Sequence, residues 1–248
     1  MVLKLPVAHP RLSIEWVASA VELATTLRHG GYPAPTYLDV GTMHGRVYTV
    51  QEVVEGEIPD QLSTSLVRQL IELWRQHQGV AARAGVPGET WAAHALEGLR
   101  SGSEVVYIDH EVLRDSRDPR VEDVLEAAIE IGGRVDPAVF RSGDVVHADL
   151  HHRNVLVRGD KIVAVFDWEG AHAGDSRFDL IRLEGIPFVE PKRARELLAA
   201  EAGAANGEEV RAVVNALSAL QGLTFALRSK PDALEGILQS ARQSMSPT

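Results

Sequence analysis

Asp149 and Asn154 stand five residues apart in the run Val145-Val146-His147-Ala148-Asp149-Leu150-His151-His152-Arg153-Asn154-Val155-Leu156-Val157. A further carboxylate, Asp167, follows the run Lys161-Ile162-Val163-Ala164-Val165-Phe166. One acid placed to accept a hydroxyl proton, with an amide and a second acid offering oxygens to a divalent cation, is the residue set that phosphoryl transfer from a magnesium nucleotide requires. Asp149 in isolation would read as a turn former, and its spacing to Asn154 and Asp167 is what distinguishes it.

The two β-branched runs flank Gly159-Asp160, a pair suited to a tight hairpin. A turn centred there sets Arg158 opposite Lys161 and predicts Asn154 opposite Val165, with Asp167 as the diagonal neighbour of Asn154. Side chains alternate along a strand, so Val165 and Asp167 share a face, and the Asn154 amide and Asp167 carboxylate converge at one end of the ribbon. Two hard oxygen ligands suit Mg²⁺, which completes its octahedron with water and substrate phosphates. A turn one residue shorter or longer would separate them.

Periodicity supplies the elements that must hold these residues. Residues 13–28 predict a helix capped by Ser13, with Ile14, Val17, Val21, Ala24 and Leu27 inward. Thr36 to Val40 and Arg46 to Val54 predict strands around a turn near Gly41 to Gly45, and Glu55-Gly56-Glu57-Ile58-Pro59 a linker. Leu62, Leu66, Leu70, Leu73, Trp74 and His77 recur at helical spacing, as do Val121, Val124, Leu125, Ala128 and Ile129 before Gly132-Gly133. The C-terminal part carries apolar stripes from Val210 to Leu227 and from Leu234 to Ala241. Residues 81–118, polar and rich in Gly and Arg, give no clear period.

The 248 residues, 45% hydrophobic, suffice for one large domain or two lobes. No apolar run looks long enough to cross a bilayer, and no secretory signal is evident. With no cysteine the chain has neither disulfides nor thiolate catalysis, which is compatible with a cytoplasmic location. The net charge of -10 argues against nucleic acid as a partner and favours a cationic small molecule.

His147-x-Asp149-x-x-x-x-Asn154, Asp167-Trp168-Glu169 and Gly174-Asp175-Ser176-Arg177-Phe178-Asp179-Leu180 together resemble the aminoglycoside phosphotransferase and choline kinase-like superfamily. Weaker similarities lie at Val2-Leu3-Lys4-Leu5, Gly31-Tyr32-Pro33-Ala34-Pro35 and Leu73-Trp74-Arg75-Gln76-His77. The resemblance implies an α+β, two-lobed protein-kinase-like fold. Its reduced β-rich first lobe would span residues 1–55, and a mainly helical second lobe with the catalytic hairpin residues 56–248. It implies a small-molecule kinase moving the γ-phosphoryl group of ATP or GTP to a hydroxyl, with an aminoglycoside-type antibiotic, and so antibiotic resistance, as the first expectation. Choline, homoserine, methylthioribose and other sugars are further acceptors in similar proteins. It assigns Asp149 as catalytic base, Asn154 and Asp167 as Mg²⁺ ligands, Lys4 to the nucleotide phosphates, and Gln51, Glu52 and Val53 to the adenine. Glu22 would pair with Lys4, with Glu15 as the alternative on the same helical face. Asp179 would brace the catalytic loop. Glu169 either supports the metal or faces solvent, while His147, Trp168 and Phe178 read as buried structural residues.

Only three residues precede Lys4, and no glycine precedes Gly30, so the strands and glycine-rich loop that stand before the lysine in similar proteins are missing. Either the true start lies upstream, or nucleotide binds to a reduced first lobe. An uncovered sheet edge around Leu3 and the Tyr48 strand is expected to promote self-association. Two other readings follow from the same residues. One is a kinase-like nucleotide-binding or regulatory module without turnover, and the other is a zinc hydrolase using His147, Asp149, His151 and His152.

Overall fold

Residues 1–5, 13–103, 106–185, 188–189, 192–205 and 207–245 are described in a computed structural model. In chain order the elements are β1 (Val2–Lys4), α1 (Ile14–His29), β2 (Tyr37–Met43), β3 (Arg46–Gln51), α2 (Thr64–Gln76), α3 (Val80–Ala84), α4 (Glu89–Ser101), α5 (His110–Asp115) and α6 (Pro119–Arg134). There follow β4 (Asp144–Val146), β5 (Val155–Arg158), β6 (Lys161–Val165), β7 (His172–Gly174), α7 (Arg177–Glu184), α8 (Lys192–Ala205), α9 (Glu208–Ser229) and α10 (Leu234–Met245). They form two compact units, one from Met1–Glu89 with Arg141–Ala205, the other from Thr90–Phe140 with Asn206–Thr248. The expected boundary at residue 55 concerns chemical roles, whereas this division is one of packing; the N-terminal sheet and the Asp149 loop share one unit.

In the first unit, Ser13 caps α1 by accepting the Trp16 N–H at 3.2 Å. Val17, Ala20, Leu23, Ala24 and Leu27 form its buried face. The three-stranded sheet has the order β1-β3-β2, with Lys4 opposite Thr49 and Thr49 opposite Val40. The Tyr48 strand is therefore central, not an edge as expected; the edges are β1 and β2. Leu3 on β1 is 56% exposed, and Lys4, its neighbour on the opposite face, points inward.

Gly159 at φ +60° makes the two-residue turn between β5 and β6, and Arg158 pairs with Lys161 as the sequence predicts. Beyond Leu156 the register shifts, so that Val155, not Asn154, faces Val165. The expected linker is also tied down: Glu57 exchanges both backbone hydrogen bonds with Val157, at 2.9 and 2.8 Å. Two-stranded pairing of β4 with β7 delivers the chain into the Asp149 loop.

In the second unit, the segment without clear period contains α4 and α5, and Asp109 and Asp118 cap α5 and α6 through their side chains. The Gly132-Gly133 pair does not end α6, which runs on to Arg134; a Cβ on Gly132 would stand 2.7 Å from the Leu99 Cβ, so the glycine permits close packing of α4 and α6. Helix α9 is long and apolar enough by composition to cross a membrane, which corrects the expectation that no run reaches that length. More than half of its apolar window is buried inside the protein, the pattern of a core helix.

That burial predicts unequal responses along α9. Leu220, with no exposed surface, should lose about 2–5 kcal/mol of stability on substitution by alanine in denaturant unfolding. Phe225, 55% exposed, should change by no more than about 0.5 kcal/mol.

Candidate active site

The loop after β4 is built on a buried carboxylate. Asp179, on the first turn of α7 and without exposed side-chain surface, accepts the backbone N–H groups of His147 at 2.7 Å and Ala148 at 2.9 Å. Two successive N–H groups aimed at one anion require an unusual backbone, and Ala148 is left-handed at φ +70°. That conformation costs a residue with a Cβ roughly 1–2 kcal/mol. His77 Nδ1 lies 3.7 Å from the same carboxylate. Burial pushes the Asp179 carboxyl up, but His77, the His147 ring and the His147 N–H outweigh it and hold it below the ordinary range. His147, also buried, places Nε2 3.0 Å from the Phe166 carbonyl, and its Nδ1 accepts the Asp149 N–H at 3.3 Å. That pairing fits the neutral ring with its hydrogen on Nε2, and burial lowers its pKa further. The ring packs on buried Trp168 with centroids 4.5 Å apart.

Asp149 emerges from this frame with its side chain 53% exposed. Asn154 aims its amide group at it, donating to the Asp149 carbonyl at 2.8 Å and to Oδ2 at 2.9 Å. His151 Nε2 lies 3.3 Å from the same oxygen. Burial alone would raise the Asp149 carboxyl; His151 first, then His147 and Arg182, bring it below its ordinary value. It is therefore ionised at neutral pH and free to take a proton. Arg182 is a residue that motif reasoning passed over. It stands one turn after Asp179 on α7, with Nη1 3.4 Å from the Ala148 carbonyl. Its charge acts on both Asp149 and Asp179. A cation one turn along α7 from the bracing aspartate was the available signal.

Asp167 is left-handed as well, at φ +70°, a conformation that Asp tolerates better than most residues. The Phe166 N–H donates to the Asn154 carbonyl at 3.0 Å, so the Asn154 and Asp167 segments are neighbours, as expected. The route differs from the predicted one. Asn154 sits in a single 3₁₀ turn (His152–Asn154) and Asp167 stands at the start of another (Trp168–Gly170), so strand alternation orients neither side chain.

Lys4 reaches from β1 to this second turn. Its ammonium pairs with Asp167 Oδ1 and donates to Glu169 Oε2 at 2.8 Å. Glu169 is buried, and its second oxygen accepts the Thr49 hydroxyl at 2.8 Å. Burial lowers the Lys4 pKa, but the Glu169 charge, with the hydrogen bonds to Asp167 and Glu169, more than reverses this and keeps the amine protonated. The expected Glu22–Lys4 pair is not formed. Glu22 faces solvent on α1, and Glu15 is exposed as well, its carboxyl lowered by hydrogen bonds within the α1 cap. Gln51 ends β3, opposite both Val2 and Tyr37, Glu52 bonds the Thr36 carbonyl at 2.9 Å, and Val53 is 60% exposed. These residues leave the sheet together, as a strand-end binding segment would.

The histidine cluster does not converge on a metal. Both His147 nitrogens serve the loop, His151 Nδ1 accepts the Arg153 N–H, and the buried His152 stacks on Phe188. Among the described residues no group of three or more His, Cys, Asp or Glu is disposed to hold a metal ion. Asn154 and Asp167 form a different kind of donor set. The Asn154 amide group is directed at Asp149, leaving Oδ1 as an oxygen donor, and the Asp167 carboxylate already carries a cation in Lys4. Two hard oxygens of this type fit Mg²⁺.

A model of the phosphotransferase enzyme family, APH, matches residues 1–217. No curated protein matches the sequence. Among solved structures, a thermostable mutant of the aminoglycoside phosphotransferase APH(4)-Ia, in ternary complex with ADP and hygromycin B, is similar with a TM-score of 0.60 at 16% identity, over 93% of this chain and 84% of that one. The GDP and kanamycin complex of APH(2")-IIia gives 0.59 at 17% identity, over 98% and 85%. Spectinomycin phosphotransferase APH(9)-Ia with ADP and spectinomycin gives 0.61 at 12% identity, over 99% and 82%. At these identities the common property is the fold, and the expected α+β, protein-kinase-like class with its small N-terminal sheet and mostly helical remainder is the fold found.

Asp179 gives a pH-dependent prediction. Its folded pKa is depressed, so its contribution to stability is full above the unfolded value of about 3.9 and is lost as pH falls through the folded one. Asp179→Asn should cost roughly 1–3 kcal/mol at neutral pH for each backbone donor left unpaired. In denaturant unfolding across acid pH, the gap between wild type and variant should narrow below about pH 3.9. A gap that stays constant there would show that the carboxylate charge contributes nothing.

Proposed function

We propose that this chain, which belongs to the phosphotransferase enzyme family APH, is a small-molecule kinase that transfers the γ-phosphoryl group of ATP or GTP to a hydroxyl. The observation that carries this reading is the Asn154 amide held on the ionised Asp149 carboxylate, beside a loop braced by a buried acid. Asp149 accepts the proton of the acceptor hydroxyl while the hydroxyl oxygen bonds to the γ-phosphorus and the bond to the nucleoside diphosphate breaks. Asn154 fixes the direction of the carboxylate, and the Asp179 frame keeps the loop from moving with it. Lys4 contributes positive charge toward the phosphates. Mg²⁺ held by Asn154 and Asp167 would neutralise charge on the phosphoryl oxygens. Residues 1–55 are proposed as the nucleotide-binding lobe, with Gln51, Glu52 and Val53 against the base, and residues 56–248 as the lobe of catalytic loop and metal ligands.

The ADP and GDP in the similar structures support a purine nucleotide donor, and their bound antibiotics support an aminoglycoside-type acceptor. The net charge of -10 favours a cationic acceptor on the same grounds. A cytoplasmic location accords with nucleotide use. Among the described residues no strand pairs with the outer edge of β1, and Leu3 is 56% exposed, which supports self-association there. A nucleotide-binding module without turnover is the second reading, favoured by one observation: the Lys4 ammonium sits on Asp167, and a metal ion would have to displace it.

Calorimetry with ATP, with and without Mg²⁺, followed by phosphorylation assays on cationic antibiotics and amino alcohols, separates the two readings. Asp149→Ala should abolish turnover and leave nucleotide binding nearly intact. Asp167→Ala should abolish Mg²⁺-dependent binding. Unchanged phosphorylation by the Asp149 variant would refute the assignment.

A further inference from the structure

The resemblance places the partner of Lys4 on α1, yet Glu22 and Glu15 are both exposed there. We propose that Glu169, fixed by Thr49, is the positioning residue that holds Lys4 toward the nucleotide phosphates in this chain. The proposal rests on the phosphotransfer reading of the same site.

Three observations carry it. First, Glu169 is 3% exposed, and a carboxyl group so buried must find its hydrogen-bond partners inside the protein. Lys4 supplies the cation at 2.8 Å from Oε2, and Thr49 supplies the hydroxyl at 2.8 Å from Oε1. Second, Thr49 lies directly opposite Lys4 in the β1–β3 ladder and is itself fully buried. Glu169 is thereby gripped by the central strand and grips in turn the lysine on the neighbouring strand. Third, the two carboxylates on Lys4 differ in freedom. The Asp167 side chain is 39% exposed and that of Glu169 only 4%. Were Asp167 to turn to a divalent cation, Glu169 would remain to hold the ammonium.

Glu169 is therefore distinct in role from Asp167 although two residues away. Its contacts are to Lys4 and Thr49, and its action on the nucleotide is through Lys4. A glutamate is required by reach, since one side chain must span from the hydroxyl of a buried strand to the amine of the next. Aspartate is one methylene short of that span.

Two readouts test this, one of them independent of nucleotide. The first is acylation of Lys4 by an amine-reactive ester at fixed pH, mapped by mass spectrometry against Lys192, whose side chain is 90% exposed. The second is the Kd for ATP with Mg²⁺ by calorimetry. Glu169→Gln should speed Lys4 labelling several-fold relative to Lys192 and raise the Kd about tenfold, the effect of one lost charge-assisted contact. Thr49→Val should move both in the same direction by less, and Thr49→Ser, which keeps the hydroxyl, should restore both. Glu22→Gln should leave both at wild-type values. Circular dichroism and unfolding curves identify a variant that has lost its fold, in which case the Thr49 pair decides. The proposal is overturned if Glu169→Gln labels and binds like wild type, or if Glu22→Gln produces the shifts instead. Wild-type protein that binds no nucleotide overturns the phosphotransfer reading and this proposal together, and differs visibly from wild type and Glu169→Gln binding equally well.

Discussion

A carboxylate with no exposed side-chain surface must gather donors around itself or give up its charge. Asp179 gathers them from the loop that carries Asp149, taking the N–H groups of His147 and Ala148 and standing beside His77. Much else follows from that one demand. The left-handed Ala148 is the backbone conformation that lets consecutive amides point the same way, and the carboxylate repays its strain. Because His147 is drawn in, its ring is fixed between Trp168 and the Phe166 carbonyl, and its remaining nitrogen steadies the Asp149 amide. Asp149 thus leaves a rigid support with its own side chain still half in water, which a proton acceptor facing a substrate needs.

A second electrostatic tie works between strands distant in sequence. Lys4 on an edge strand, Thr49 on the central strand and Glu169 in the turn after β6 share one buried carboxylate, and Asp167 joins through the lysine. Exposed ion pairs contribute little, but the Glu169 side chain is nearly excluded from solvent, so breaking this set would leave a buried charge unpaired. The tie adds side-chain contacts to β1, a strand of three residues. The two ties also meet in sequence: Asp179 holds His147, His147 holds the Phe166 carbonyl, and Phe166 precedes Asp167.

What the sequence could reveal was what is local. The Gly159-Asp160 turn was legible because only a residue without a Cβ takes φ +60° at no cost, and its flanking runs are β-branched. Ser13 as a cap and the apolar faces of α2 and α9 were legible for the same reason, since their signals lie within a turn or two; on α1 Val17, Ala24 and Leu27 are buried as expected, but Ala20 and Leu23 complete the face and Ile14 and Val21 are only partly covered. The role of Asp179 was legible only through resemblance, because its partners lie about thirty residues away. The register shift beyond Leu156 was not legible, as no glycine or proline marks it. The pairing of Lys4 with Glu169 was equally hidden: helical spacing offers Glu22 and Glu15 on one face of α1, and no local signal joins Glu169 to Thr49, 120 residues away. Arg182 escaped because a charged residue in a short helix usually reads as a solvated one.

The charges of the site also bear on how its ligands depend on each other. Asp149, Asp167, Glu169 and Asp179 bring four negative charges, set against the positive charges of Lys4 and Arg182. Lys4 is already committed to two carboxylates, and the Arg182 charge acts on the two acids of the loop. On the proposed reading, a nucleotide polyphosphate approaching these side chains alone would meet excess negative charge, and the ammonium it meets is shared with Asp167. A divalent cation held by the Asn154 and Asp167 oxygens would cancel charge and compete with Lys4 for Asp167. On that reading nucleotide and metal ion would be coupled through the Lys4 ammonium, each relieving a cost the other would meet alone.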